Sequence, residues 1–169
     1  MKQIKVVARG TPVGTNVNAN NAMTNGIINV SFNEPITIEA GSRIALDKFY
    51  CHLTSNTPTP TPPTPAPPDN ITALASYPDL AIEMSSLDLE SYDSDKRGRR
   101  NVVSYFIVSQ YAPNATDKGG FVYEAKTLSY LSINNEMDID MGTIVFRVIN
   151  IKTGLPLDAD YVSFNLLIA

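Results

Sequence analysis

A thiol beside an imidazole is the raw material for a cysteine nucleophile and its base, and this chain places its one cysteine, Cys51, next to its one histidine, His52. Adjacent residues of a strand point to opposite faces. Both lie in RIALDKFYCHL (43–53), which reads as a strand, so the two side chains diverge and Cys51 is expected to be a small core residue. One His and one Cys also fall short of a zinc ligand set without carboxylates or another chain. The sequence contains no G-x-S-x-G elbow, P-loop or dinucleotide fingerprint. The reading is a chain that is not an enzyme and carries no cofactor, with no catalytic residue and no metal ligand assigned.

Acidic spacings give little more. DSDKRG (93–98) offers Asp93-x-Asp95-x-x-Gly98, partly like a calcium loop, yet Lys96 and Arg97 stand where a third oxygen ligand belongs and no distal Glu follows. It reads as a solvated turn. Asp138 with Asp140, and Asp158 with Asp160, could each chelate a cation weakly, but both pairs flank turns, where Asp is common. Two carboxylates across a concave sheet would serve a jelly-roll glycan hydrolase; that chemistry asks for aromatic sugar platforms, and the chain has no Trp. The basic groups are better placed for contact than for chemistry. KRGRRN (96–101) holds Lys96, Arg97, Arg99 and Arg100 just after Asp88, Glu90, Asp93 and Asp95. This is a charge-segregated loop at one end of the fold, where a neighbouring subunit could meet it. Lys2, Lys5 and Arg9 put local positive charge at the N-terminus of an acidic body. Lys2, Lys5, Arg9, Arg97, Arg99 and Arg100 are therefore the candidate subunit or capsomer contacts.

The elements that must position these residues show period two rather than the helical period. In IINVSF, Ile28, Val30 and Phe32 alternate with Asn29, Ser31 and Asn33; at the end of the chain Val162, Phe164, Leu166 and Ile168 alternate with Tyr161, Ser163 and Asn165. Between them RIALDKFYCHL, DLAIEMS (79–85), NVVSYFIVSQY (101–111), GFVYEA (120–125), LSYLSI (128–133) and TIVFRVINI (143–151) are rich in β-branched and aromatic residues. No amphipathic helix separates them, so parallel crossovers are not expected. The prediction is all-β: an eight-stranded antiparallel single jelly-roll sandwich over 27–169, with an immunoglobulin-like sandwich as the competing architecture.

Two segments fall outside this alternation. Residues 1–26 pass from KQIKVVAR into GTPVGTNVNANNAMTNG and read as an N-terminal arm, either disordered or laid on a neighbouring subunit. Residues 54–70, TSNTPTPTPPTPAPPDN, hold seven of the twelve prolines. They follow only about two predicted strands, too few to be a domain, so they read as a stiff, hydrated surface loop of polyproline character. Its Pro60-x-x-Pro63 and Pro62-x-x-Pro65 spacings lack the adjacent Arg of a groove ligand.

Composition narrows the partners. With 43% hydrophobic and 18% charged residues, the 169-residue chain can bury a core. A net charge of −4 argues against direct nucleic-acid binding, which needs clustered cations. No apolar run reaches the about 20 residues of a membrane span, and the start of the chain lacks a secretory pattern. Synthesis in a cytoplasm is expected, and the N-x-[ST] matches at Asn29, Asn70 and Asn114 would matter only on a secretory route.

In order, INVSFNEPITIEAGSRIALDKFYCHLTSN, DLAIEMSSLDLESYDSDKRGRRNVVSYFIVSQ and LSYLSINNEMDIDMGTIVFRVINIKTGLPLDADYVSFNLLIA resemble the penton, or minor capsid, proteins of virophages and related polinton-like viruses. The similarity covers most of 27–169 and rests on packing and turn patterns: GSRIAL, LESY before an apolar strand, and GLPL before the final strand. This chain is short beside the pentons that carry an added domain, and it has the proline tract instead. The resemblance implies a single jelly roll that forms a homopentamer at the fivefold vertices of an icosahedral virion and contacts a double-jelly-roll major capsid protein. The runner-up is a viral or cell-surface recognition module, an adhesin, of β-sandwich fold.

Overall fold

The computed structural model describes residues 1–10, 22–24, 26–53, 74, 78–93, 98–110, 119–157 and 159–169. Its elements are β1 (Lys2–Gly10), β2 (Ala22–Thr24), β3 (Ile27–Ile38), β4 (Arg43–His52), β5 (Asp79–Met84), β6 (Ser91–Asp93), β7 (Gly98–Arg100), β8 (Val102–Ile107), β9 (Ser109–Gln110), β10 (Gly120–Glu124), β11 (Leu131–Ser132), β12 (Ile139–Asn150) and β13 (Tyr161–Ile168). The protein is all-β, as its alternation predicts. On β13 the expected residues, Val162, Phe164, Leu166 and Ile168, are all buried. Among the described residues no helix is long and apolar enough to cross a membrane.

The path through the sheet is β8-β5-β12-β3-β2-β1-β13-β4-β10-β9, with β11 on β4 and a separate β6-β7 hairpin. The long strands pair in nested order: β1 with β13, β3 with β12, β4 with β10 and β5 with β8, each antiparallel. The path thus holds two runs of four long strands, β1-β13-β4-β10 and β3-β12-β5-β8, joined through β2. Rings from one run meet rings from the other: Phe164 of β13 and Phe146 of β12 lie 5.1 Å apart edge to face, and Phe49 of β4 and Phe106 of β8 lie 4.9 Å apart. These four rings belong to one buried cluster fed by both runs. A large buried side chain of this kind contributes about 1.5–3 kcal/mol by leaving water.

Three expectations are corrected. The sheet has 11 strands and is mixed, because β2 runs parallel to β1 through Arg9↔Ala22 and Gly10↔Met23. Residues 2–10, expected as part of an arm, form β1, whose Ile4, Val6 and Ala8 sit opposite Leu166, Phe164 and Val162 and are buried. The physical reason is that β13 needs a partner on the side away from β4, and the Ile4-x-Val6-x-Ala8 alternation supplies an apolar stripe for it. Third, LSYLSI contributes only the two-residue β11, and NVVSYFIVSQY divides into β8 and β9. The proline tract and residues 11–21 lie outside the described residues.

The two ends of the fold differ in their connections. At one end β3 and β4 join through a tight turn in which the Ser42 N–H donates to Glu39 O at 3.2 Å, with Gly41 at φ 71. At the other, Gly10 N–H donates to Asp160 O, Asp160 N–H to His52 O and Leu53 N–H to Gly119 O. The chain therefore leaves for 11–21, leaves for 54–73 and returns from 111–118 at one shared end.

Candidate functional site

Cys51 and His52 do not meet. Cys51 is buried among the core side chains, and burial pushes its thiol up to about 12. That keeps it a neutral thiol, without the thiolate a nucleophile needs. His52 faces outward on the same strand, with Nδ1 3.5 Å from the Asp160 carboxylate. Among the described residues no group of three His, Cys, Asp or Glu is placed to hold a metal.

The acidic pairs serve the backbone. Asp140 of β12 accepts from the Thr37 hydroxyl of β3 at 2.6 Å, tying the two paired strands, and Asp138 accepts from the Ala40 N–H at 2.9 Å, fastening the β3–β4 turn to the segment before β12. Asn135 adds to this fastening by donating to Glu39 O at 2.9 Å and Met137 O at 3.1 Å. Of the second pair, Asp158 lies outside the described residues and Asp160 pairs with His52. A cavity of about 50 Å³ bounded by Lys2, Glu39, Ser42 and Ile168 lies at the turn end. It has room for water, not for a small-molecule ligand, whose pockets run to about 300 Å³ or more.

The six candidate contacts separate. Lys2 is used inside the chain: its Nζ donates to Thr37 O at 2.7 Å and pairs with Glu39 at 3.1 Å. Lys2 is thus engaged within the chain while remaining exposed. Arg97 lies outside the described residues, and Arg99 and Arg100 are in β7, paired with Tyr92 and Ser91 of β6. Lys5 and Arg9 remain. Both are exposed on the outward face of β1, and neither has an ion pair among the described residues.

The strand register builds a surface around those two cations. Successive rows on the outside of the first run are Arg9, Tyr161, His52; then Val7, Ser163, Tyr50, Val122; then Lys5, Asn165, Lys48, Glu124. The Tyr50 and Tyr161 rings lie 5.9 Å apart. Glu124 sits 2.6 Å from Lys48 and, by hydrogen bond and charge, holds its pKa above the ordinary lysine value. The middle row is half-buried and mostly apolar, and the rows beside it carry the charges. Tyr and Arg over small polar neighbours is the composition of protein contact surfaces, where flat aromatic area and a planar cation bind without a deep pocket. Sequence reasoning found Lys5 and Arg9 but missed Val7, Tyr50 and Tyr161. Their outward phase was readable from alternation, whereas their meeting depends on which strands become neighbours.

No protein-family model, curated protein or solved structure matches this chain.

Proposed function

We propose that this chain is a structural subunit of a virus shell: a single jelly roll that forms homopentamers at the fivefold vertices of an icosahedral capsid, beside a double-jelly-roll major capsid protein. The observation that carries the proposal is the nested pairing of first strand with last, second with second-last and so on inward. A chain paired in this way is one long antiparallel ribbon folded over on itself, which is the connectivity of a jelly roll. The long strands alternate between the two runs at every step except β5 to β8, as that folding requires. Fold alone does not fix function. The resemblance to virophage and polinton-like pentons adds the shell assignment, and its three segments supply β3–β4, β5–β9 and β11–β13. The outward surface around Lys5 and Arg9 gives such a subunit a face for its neighbours.

Native mass spectrometry of the chain with the major capsid protein, followed by microscopy of the particles formed, tests the assignment. Five-copy rings and density for this chain at the vertices are expected. A stable trimer with no affinity for a capsid protein would instead mark a recognition module.

A further inference from the structure

Apolar side chains left in water are unevenly distributed over this protein. Of the seven large hydrophobic residues exposed among the described residues, Ile27, Tyr105, Ile107, Ile151 and Leu155 belong to the β3-β12-β5-β8 run or to the segment that leaves β12. Register places Ile27, Tyr105, Ile107 and Ile151 in neighbouring rows on its outer face. Arg147 of β12 lies opposite Ile27, and Ala81 of β5 lies between Ile149 and Tyr105. Ile107 lies opposite Asp79, and the Ile151 N–H donates to Asp79 O. Ile107 is 63% exposed and Leu155 is 61% exposed. Beneath them Ala81, Val102 and Ile149 form a second buried apolar cluster, separate from the main core. Exposed apolar side chains gathered on one face are a candidate partner surface. At its centre Asp79 carries a carboxylate with no ion pair among the described residues.

We infer that this corner docks on the Lys5–Arg9 surface of a second copy of the chain, an inference that rests on the self-assembling subunit proposed above and names its two contact faces. Charge selects the partner. The corner offers an anion between Ile107 and Ile151; the outer face of β1-β13-β4 offers, on either side of the half-buried Val7, two cations with no ion pair among the described residues. Lys5 and Arg9 are four residues apart on one strand face, about 13 Å at about 3.3 Å per residue. A row from Ile107 across Asp79 to Ile151 spans about 10 Å at the about 4.8 Å spacing of strands. With Asp79 set over Val7, each cation lies two residues away along β1, about 7 Å, within reach of the long Lys5 and Arg9 side chains. The two surfaces lie on opposite runs, so the contact is heterologous: each copy uses one face toward the copy before it and the other toward the copy after. Such contacts propagate from copy to copy and close into a ring when the rotation between copies divides a full turn, as the proposed vertex requires.

Charge reversal tests this on the full chain. Arg9→Glu with Lys5→Glu, and separately Asp79→Arg, should each weaken self-association by about tenfold or more, because each sets like charges against each other at the contact. All three substitutions in one chain should recover much of the loss. Ile107→Asp should also abolish association. Every altered side chain points outward, so thermal unfolding should be unchanged and serves as the folding control. Wild-type rings that tolerate both reversals would overturn the inference and leave the shell assignment standing. Trimers that obey the reversal pattern would retain the contact and remove the vertex assignment. A wild-type chain that stays monomeric at its highest soluble concentration, or reversals that fail to compensate, would overturn the inference as well.

Discussion

Cys51 is a chemical group held out of use by its surroundings. Its thiol stays protonated in the fold up to about 12, whereas a thiol outside it ionises near 9.0. The folded pKa is the higher one, so this group's contribution is complete below pH 9 and is lost as pH rises toward 12. Over that window the folded state binds the extra proton, and stability should fall by about 1.4 kcal/mol per pH unit from this group. Comparing urea unfolding of wild type and Cys51→Ala at pH 8 and above isolates the slope, which the variant should lack. Gly26 makes a second demand at this scale. It holds φ 72, and a Cβ there would lie 2.5 Å from Val148 O. Gly26→Ala should cost about 1–3 kcal/mol, read from the urea midpoint. In the core, Phe164 touches Phe49 and Phe146, and Phe164→Ala should cost about 3–5 kcal/mol.

Strand β1 is a core element on one face and exposed on the other. Val6 is 1% exposed and lies opposite Phe164, while its neighbour Lys5 is exposed opposite Asn165. Val6→Ala should therefore lower stability by about 1–3 kcal/mol, and Lys5→Ala should leave it within about 0.5 kcal/mol. Removing residues 1–10 should abolish cooperative unfolding, because β13 loses one of its two partners and Ile4, Val6 and Ala8 leave the core. An arm would be dispensable for folding, so circular-dichroism melts of the truncated chain separate the two descriptions. The β4 edge of β13 remains paired in that variant through Ile44 to His52.

For the whole molecule, the described ends of the segments at 11–21, 54–73 and 111–118 share one end with Asp160 and His52. The β3–β4 turn and the acidic fastening by Asp138 and Asp140 occupy the other. A protein built this way can vary its long connections at one end without touching the strands that hold its core. Replacing residues 57–68 with a short Gly/Ser loop should leave the melting temperature and the ring assembly intact, as checked by calorimetry and native mass spectrometry. Raising salt should weaken self-association while leaving the fold unaffected. The core is held by apolar burial, and the proposed contact depends partly on exposed charge.

Alternation was enough to determine that the chain is all-β. The buried phase of β13, the Ile28 and Val30 face of β3 and the divergence of Cys51 from His52 all follow from side chains pointing alternately to the two faces of a strand. The same rule could have marked Ile4, Val6 and Ala8, but the Gly/Asn/Thr-rich residues that follow made a strand and an arm equally consistent with the local pattern. Which strands become neighbours is a different kind of information. The pairing of β1 with β13 joins residues from the two extremes of the chain, and no local propensity encodes a contact at that separation. Only that register sets Arg9 beside Tyr161 and Lys5 beside Asn165, and only the tertiary packing brings Lys2 to Glu39. Residue type decided what each face could do. The long-range pairing, fixed by burying every apolar stripe at once, decided which side chains do it together.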